Sequence, residues 1–148
     1  MSESAIDELA NRLQSFVRGF GLHRSETTPC GMPISVSDAY ALMELSAGPI
    51  GQTELARRLG LTKSTVSRLV TMLGERGWVR RMADPNDGRV AHLALTGDGR
   101  RIAAQLATAR RQRLAALLDA IEPSQRPAVL EALATLTTAA ESSDPRHA

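Results

Sequence analysis

The sequence has 148 residues, which fit one domain with helical extensions and fall short of two full cores, so a separate catalytic domain is not expected. With 43% hydrophobic and 23% charged residues it reads as a folding chain, and with aromatics at only 3% its core must come from Leu, Val, Ile, Met and Ala, a palette that suits helices. The formal net charge of +2 conceals an asymmetry: residues 52–113 carry thirteen basic against five acidic side chains, a net of +8, and the remainder nets −6. A basic middle between acidic ends is the footprint of a surface that meets nucleic acid, or else a solvated Arg-rich face, and motifs have to decide between them. One cysteine excludes a disulfide framework and any zinc site needing several thiolates. The acidic start, Met1-Ser-Glu-Ser-Ala-Ile-Asp-Glu8, lacks the basic and apolar runs of a signal peptide, and no apolar stretch reaches membrane-spanning length. A cytoplasmic location is expected.

Along the chain, Ile6, Leu9, Leu13, Phe16, Val17 and Phe20 follow helical spacing and predict a first helix to about Leu22. Pro29, Gly31 and Pro33 force a loop, after which Ser35 or Ser37 caps a second helix that runs to about Leu45 and is ended by Gly48-Pro49. Gln52 to Leu59 forms a third helix closed by Gly60, and Thr62 caps a fourth that runs to about Arg76, with Gly77 as its stop. The period then changes to two. Trp78–Met82 and Val90–Leu95 read as strands joined by the turn-forming Ala83-Asp-Pro-Asn-Asp-Gly-Arg89. Thr96 caps a long fifth helix striped by Ile102, Leu106, Leu114, Leu117, Leu118 and Ile121. Pro123 and Pro127 mark a break, Val129, Leu130, Leu133 and Leu136 stripe a sixth helix, and residues 142–148 are expected to fray.

The third and fourth helices have the spacing of a helix-turn-helix, with small Ala56 at the crossing and Gly60 in the tight turn. At 100° per residue, Val66, Leu69, Val70 and Leu73 face the core, while Ser64, Arg68 and Thr71 face outward, with Lys63 at the tip and Thr65 and Ser67 on the flanks. That outward set is small, polar and basic, which lets a helix enter a major groove and reach base edges, with Arg68 as the natural guanine reader. The hairpin adds a wing: Arg89 at its tip can enter a minor groove, and Asp87 can hold Arg89 in position. The candidate DNA-binding residues are therefore Lys63, Ser64, Thr65, Ser67, Arg68, Thr71, Asp87 and Arg89.

At Gln52-Thr-Glu-Leu-Ala-Arg-Arg-Leu, Ser64-Thr-Val-Ser-Arg-Leu-Val, Glu75-Arg-Gly-Trp-Val-Arg-Arg, Asp84-Pro-Asn-Asp-Gly-Arg and Leu95-Thr-Gly-Asp-Gly the sequence resembles the MarR family of bacterial regulators, over nearly the whole chain. The resemblance implies a mainly α fold, with a winged helix-turn-helix lobe over residues 35–96, a two-stranded wing, and a dimerisation lobe built from residues 1–34 and 97–148. It implies a homodimer on a palindromic operator, usually a repressor released by a small phenolic or lipophilic effector or by cysteine oxidation. The unspent apolar stripes of the terminal helices ask for such a partner on their own account.

Met32, Tyr40 and Met43 could border an effector pocket, or simply pack the core. Cys30 is a candidate redox sensor, although relatives that sense through a cysteine place it near the first helix with tyrosine partners, and this chain has only Tyr40. His23, Glu26 and Cys30 could be drawn as zinc ligands, but His92 falls in a wing strand and His147 in the tail, so no metal site is expected. Gly97-Asp-Gly99 is too short for a phosphate loop and no nucleophile–base set is apparent, so neither a cofactor nor an enzyme is expected. The main rival is a winged helix that binds protein, which would call for apolar residues where Ser64, Arg68 and Thr71 stand.

Overall fold

In a computed structural model, residues 3–144 are described, and the chain divides into two compact units, residues 1–111 and 112–148. The first unit holds α1 (Glu3–Phe20), α2 (Val36–Ser46), β1 (Ile50–Gly51), α3 (Gln52–Leu59), α4 (Lys63–Glu75), β2 (Val79–Ala83), β3 (Ala91–Leu95) and most of α5 (Gly97–Asp119). The second holds the end of α5, a single 3-10 turn (Pro123–Gln125) and α6 (Arg126–Ser143).

Local chemistry sets most boundaries. Ser35, rather than Ser37, caps α2, its hydroxyl accepting from the Asp38 amide at 3.0 Å. Gly60 closes α3 at φ 64° and Gly77 follows α4 at φ 74°, left-handed conformations that L side chains rarely adopt. Helix α1 stops at Phe20, two residues before the expected end, because Gly21 turns the chain at φ 93°. Helix α6 persists to Ser143, past the expected onset of fraying at Ser142; residues 145–148, with His147, lie outside the described residues.

The sheet has three strands, not two. Ile50 and Gly51 pair antiparallel with Leu93 and His92, giving the order β1-β3-β2, and β2 pairs with β3 from Val79↔Leu95 to Ala83↔Ala91. Leu42, Leu55, Val66, Leu73, Leu93 and Leu106 are fully enclosed and join α2, α3, α4, β3 and the first half of α5 into one core. Burying such side chains contributes about 1.5–3 kcal/mol each.

The start of α5 is fixed by a close approach. Thr96 donates its amide to the Trp78 carbonyl (3.0 Å) and its hydroxyl to the Gly77 carbonyl (2.5 Å), while its Oγ1 accepts from the Gly99 amide (3.0 Å). Gly99 lies against the Trp78 backbone so tightly that a Cβ there would collide with the Trp78 carbonyl oxygen.

Helix α1 buries none of its residues: Ile6, Leu9, Leu13 and Phe16 stand exposed in a row. Helix α6 likewise buries none, leaving Val129, Leu130, Leu133 and Leu136 in solvent. Among the described residues no helix is long and apolar enough to cross a membrane.

Candidate nucleic-acid interface

Helix α4 is anchored by one face. Val66 and Leu73 are fully buried and Leu69 and Val70 nearly so, which fixes the helix's rotation about its axis. Its first turn is capped by Thr62, whose Oγ1 accepts from the Thr65 amide at 3.2 Å, so the exposed amino end is held in register with the turn from α3.

On the outer face, Lys63, Ser64, Ser67, Arg68 and Thr71 are exposed and Thr65 half-buried, so all six α4 candidates share one accessible surface. Their polar groups are not equally available. Thr71 donates its hydroxyl to the Ser67 carbonyl (2.9 Å), and the Thr65 and Ser64 hydroxyls pair with Thr62 Oγ1 at 2.8 and 3.2 Å. Lys63 and Arg68 take part in no ion pair among the described residues.

The neighbouring cations on α3 are already occupied. Glu54 receives Arg57 through two bonds (2.8 and 2.7 Å) and Arg58 through a third (2.9 Å), and Glu44 adds a contact to Arg58 at 3.3 Å. The hydrogen bonds from Arg57 and Arg58 hold the Glu54 carboxyl at about 2. These pairs are solvent-exposed and worth little to stability, but they leave α3 less cationic than its sequence suggests. Positive potential is thereby concentrated on Lys63 and Arg68 of α4 and on the wing.

The wing is tied by Asp84 at its base. One carboxylate oxygen accepts from the Asn86 and Asp87 amides (2.7 and 3.2 Å), and the other accepts from His92 Nε2 across the hairpin at 2.6 Å. The His92 bond first, then the Asn86 amide, holds the Asp84 carboxyl below the usual carboxylate range. Because Nε2 donates to a carboxylate, His92 carries a proton there; its buried Nδ1 has no partner among the described residues. Asp87 does contact Arg89, but through the backbone: its carboxylate accepts from the Arg89 amide at 3.0 Å. Asp87 thus holds Arg89 by its backbone amide, which shapes the turn and leaves the exposed side chain uncommitted.

Sequence reasoning passed over two groups. Arg81 on β2 donates to Gln52 Oε1 (3.0 Å), joining the wing to the start of α3, and Arg80 beside it is exposed. The adjacent Arg80-Arg81 pair was the available signal.

The three residues expected to border an effector pocket differ in burial. Met32 and Met43 pack against the core and Tyr40 is 48% exposed, and a groove beside α4 is lined by none of them. Cys30 is half-buried, its sulfur 3.0 Å from Thr28 Oγ1. Among the described residues no three His, Cys, Asp or Glu side chains cluster so as to hold a metal.

Residues 31–90 match the family model described as MarR family. No curated protein matches the chain. Solved structures do. The PcaV transcriptional regulator of Streptomyces coelicolor is 26% identical, with 92% of this chain and 97% of that one covered and a TM-score of 0.70. The transcriptional regulator BldR of Sulfolobus solfataricus is 24% identical, with 93% and 99% covered and a TM-score of 0.68. FabT of Streptococcus pneumoniae, solved in complex with DNA, is 19% identical, with 97% and 100% covered and a TM-score of 0.73. The resemblance to MarR regulators read from the residues therefore holds, the fold is that of MarR-type winged helices, and the similar proteins are transcriptional regulators rather than enzymes.

Proposed function

Starting from a DNA-binding regulator of MarR type, we propose that this chain works in the cytoplasm as a homodimeric repressor on a palindromic operator, and that a small molecule releases it. The observation that carries the reading is the divided face of α4: Val66, Leu69, Val70 and Leu73 are no more than 6% exposed, while its outer face offers Lys63 and Arg68 free of acidic partners. A helix so anchored can enter a major groove about 12 Å wide without repacking. Arg68 reads a base edge, Lys63, Ser64, Thr65, Ser67 and Thr71 meet phosphates and neighbouring edges, and Arg89 follows the minor groove from a wing whose turn Asp87 holds.

Dimerisation is supported by the exposed apolar rows of α1 and α6, since contiguous apolar faces of this kind seek a partner. In the proposed organisation residues 1–34 and 97–148 serve dimerisation and residues 35–96 bind DNA. Two-fold symmetry then places the α4 helices about 10 base pairs apart on one face of the duplex. Ligand response is supported by likeness to PcaV, which was also solved with its natural ligand.

The test is selection of bound sequences from random DNA, followed by anisotropy titration at several salt concentrations. A palindrome with half-sites about 10 base pairs apart, bound with a steep salt dependence, is expected. Recovery of no preferred sequence would sink the reading and favour a protein-binding winged helix. Sensing through Cys30 is tested by peroxide: release of DNA that requires Cys30 would replace the small-molecule reading.

A further inference from the structure

A groove of about 750 Å3 runs between α4 and the chain that leads from the α1–α2 loop into the start of α2. Leu69 and Met72 give it an apolar floor, α4 and its cap contribute Arg68 and Arg76, and the opposite segment contributes Glu26 and Asp38. Asp38 is the informative residue. It is only 5% exposed, yet among the described residues its carboxylate meets no donor; only its backbone amide is engaged, with Ser35 Oγ. Helix capping does not require the carboxylate, because Ser35 supplies the cap. Its carboxylate oxygens are not fully enclosed, and Asp38 lines the groove, which is the side from which a donor can arrive.

The charges on the two walls select the class of occupant. A simple anion drawn by Arg68 and Arg76 would face Glu26 and Asp38, and a simple cation drawn by the acids would face the arginines. A molecule bearing both charges satisfies both walls. We propose that the groove binds a small zwitterion of the apolar α-amino-acid class, with its ammonium on Asp38, its carboxylate toward Arg68 and Arg76, and its side chain over Leu69 and Met72. Arg68 cannot pair with that carboxylate and read a base edge together, so occupancy opposes DNA binding. This coupling rests on the DNA-reading role proposed for Arg68; the binding itself does not.

Trp78 is the single tryptophan, and Arg76 Cζ lies 4.9 Å from its ring centroid, so its emission reports on the groove. The probe is L-leucine, compared with isocaproate, which keeps only the anion, and isoamylamine, which keeps only the cation. Leucine should change the emission saturably, with half-saturation at or below about 1 mM. Each one-charge analogue should be weaker by about tenfold or more, as should leucine on Asp38→Asn. Met72→Glu, at an exposed position where folding is not at risk, should weaken leucine comparably. The proposal is overturned if leucine gives no saturable change, if either analogue matches it, or if Met72→Glu and a folded Asp38→Asn bind it like wild type. With operator DNA present, leucine should lower the affinity of the wild type, and unchanged affinity would overturn the coupling. A wild type that binds no DNA would remove the functional reading while leaving the groove to be judged by emission alone.

Discussion

Gly99→Ala separates packing from helix propensity, because the two predict opposite signs. Alanine in place of glycine within a helix would on propensity alone stabilise by about 1 kcal/mol. The added Cβ, however, would fall on the Trp78 carbonyl oxygen and within 2.9 Å of its carbon and 3.2 Å of its Cα, all backbone atoms that no rotamer change can move aside. The first turn of α5 must lift, stretching the Thr96 bonds to Trp78 and Gly77. Overpacking of this kind costs about 1–3 kcal/mol and each weakened hydrogen bond about 0.5–1.5. Set against the propensity gain, a net loss of about 1–5 kcal/mol is expected. Urea unfolding at fixed protein concentration measures it. A variant as stable as wild type, or more stable, would refute the close approach of α5 to the Trp78 backbone.

Four further outcomes are expected. Arg68→Ala should cost about 1–3 kcal/mol on the preferred operator and flatten discrimination at one position of each half-site, read by anisotropy against single-base variants. Arg89→Ala should weaken binding evenly across sequences and lower the salt slope by about one per subunit; a changed base preference would contradict that assignment. Leu133→Glu, placing a charge on the exposed apolar row of α6, should yield monomer or unfolded chain in sedimentation, and an intact dimer would exclude that face from the interface. Glu54, ordinarily near 4.5 and held at about 2 by Arg57 and Arg58, binds its proton first in the unfolded chain as pH falls, so its contribution is present above 4.5 and lost on the way down to about 2. The melting difference between wild type and Glu54→Gln should therefore be largest at neutral pH and vanish near pH 2, and a constant difference would be inconsistent with the triad.

Features decided within one turn of chain were legible. Thr62 and Thr96 cap where their hydroxyls can reach an amide three residues on, and Gly60 and Gly77 take the left-handed conformations that the ends of α3 and α4 need. The third strand was not legible, because Ile50 and Gly51 have no period of their own and become a strand only by pairing with Leu93 and His92, some forty residues away. The His92–Asp84 tie depends on the same kind of knowledge: the hairpin register sets which side chains meet across the strands. The site repeats the pattern. Which face of α4 points outward followed from 100° per residue, but which groups on that face are uncommitted did not, since Thr71 has turned to the Ser67 carbonyl and Thr65 and Ser64 to Thr62. A hydroxyl already donating within its own helix gives up that bond to donate to a base, so its net gain as a donor is small. Lys63 and Arg68 give up nothing of the kind, and sequence discrimination by α4 should accordingly be concentrated in Arg68, with the hydroxyls adjusting fit rather than choosing the site.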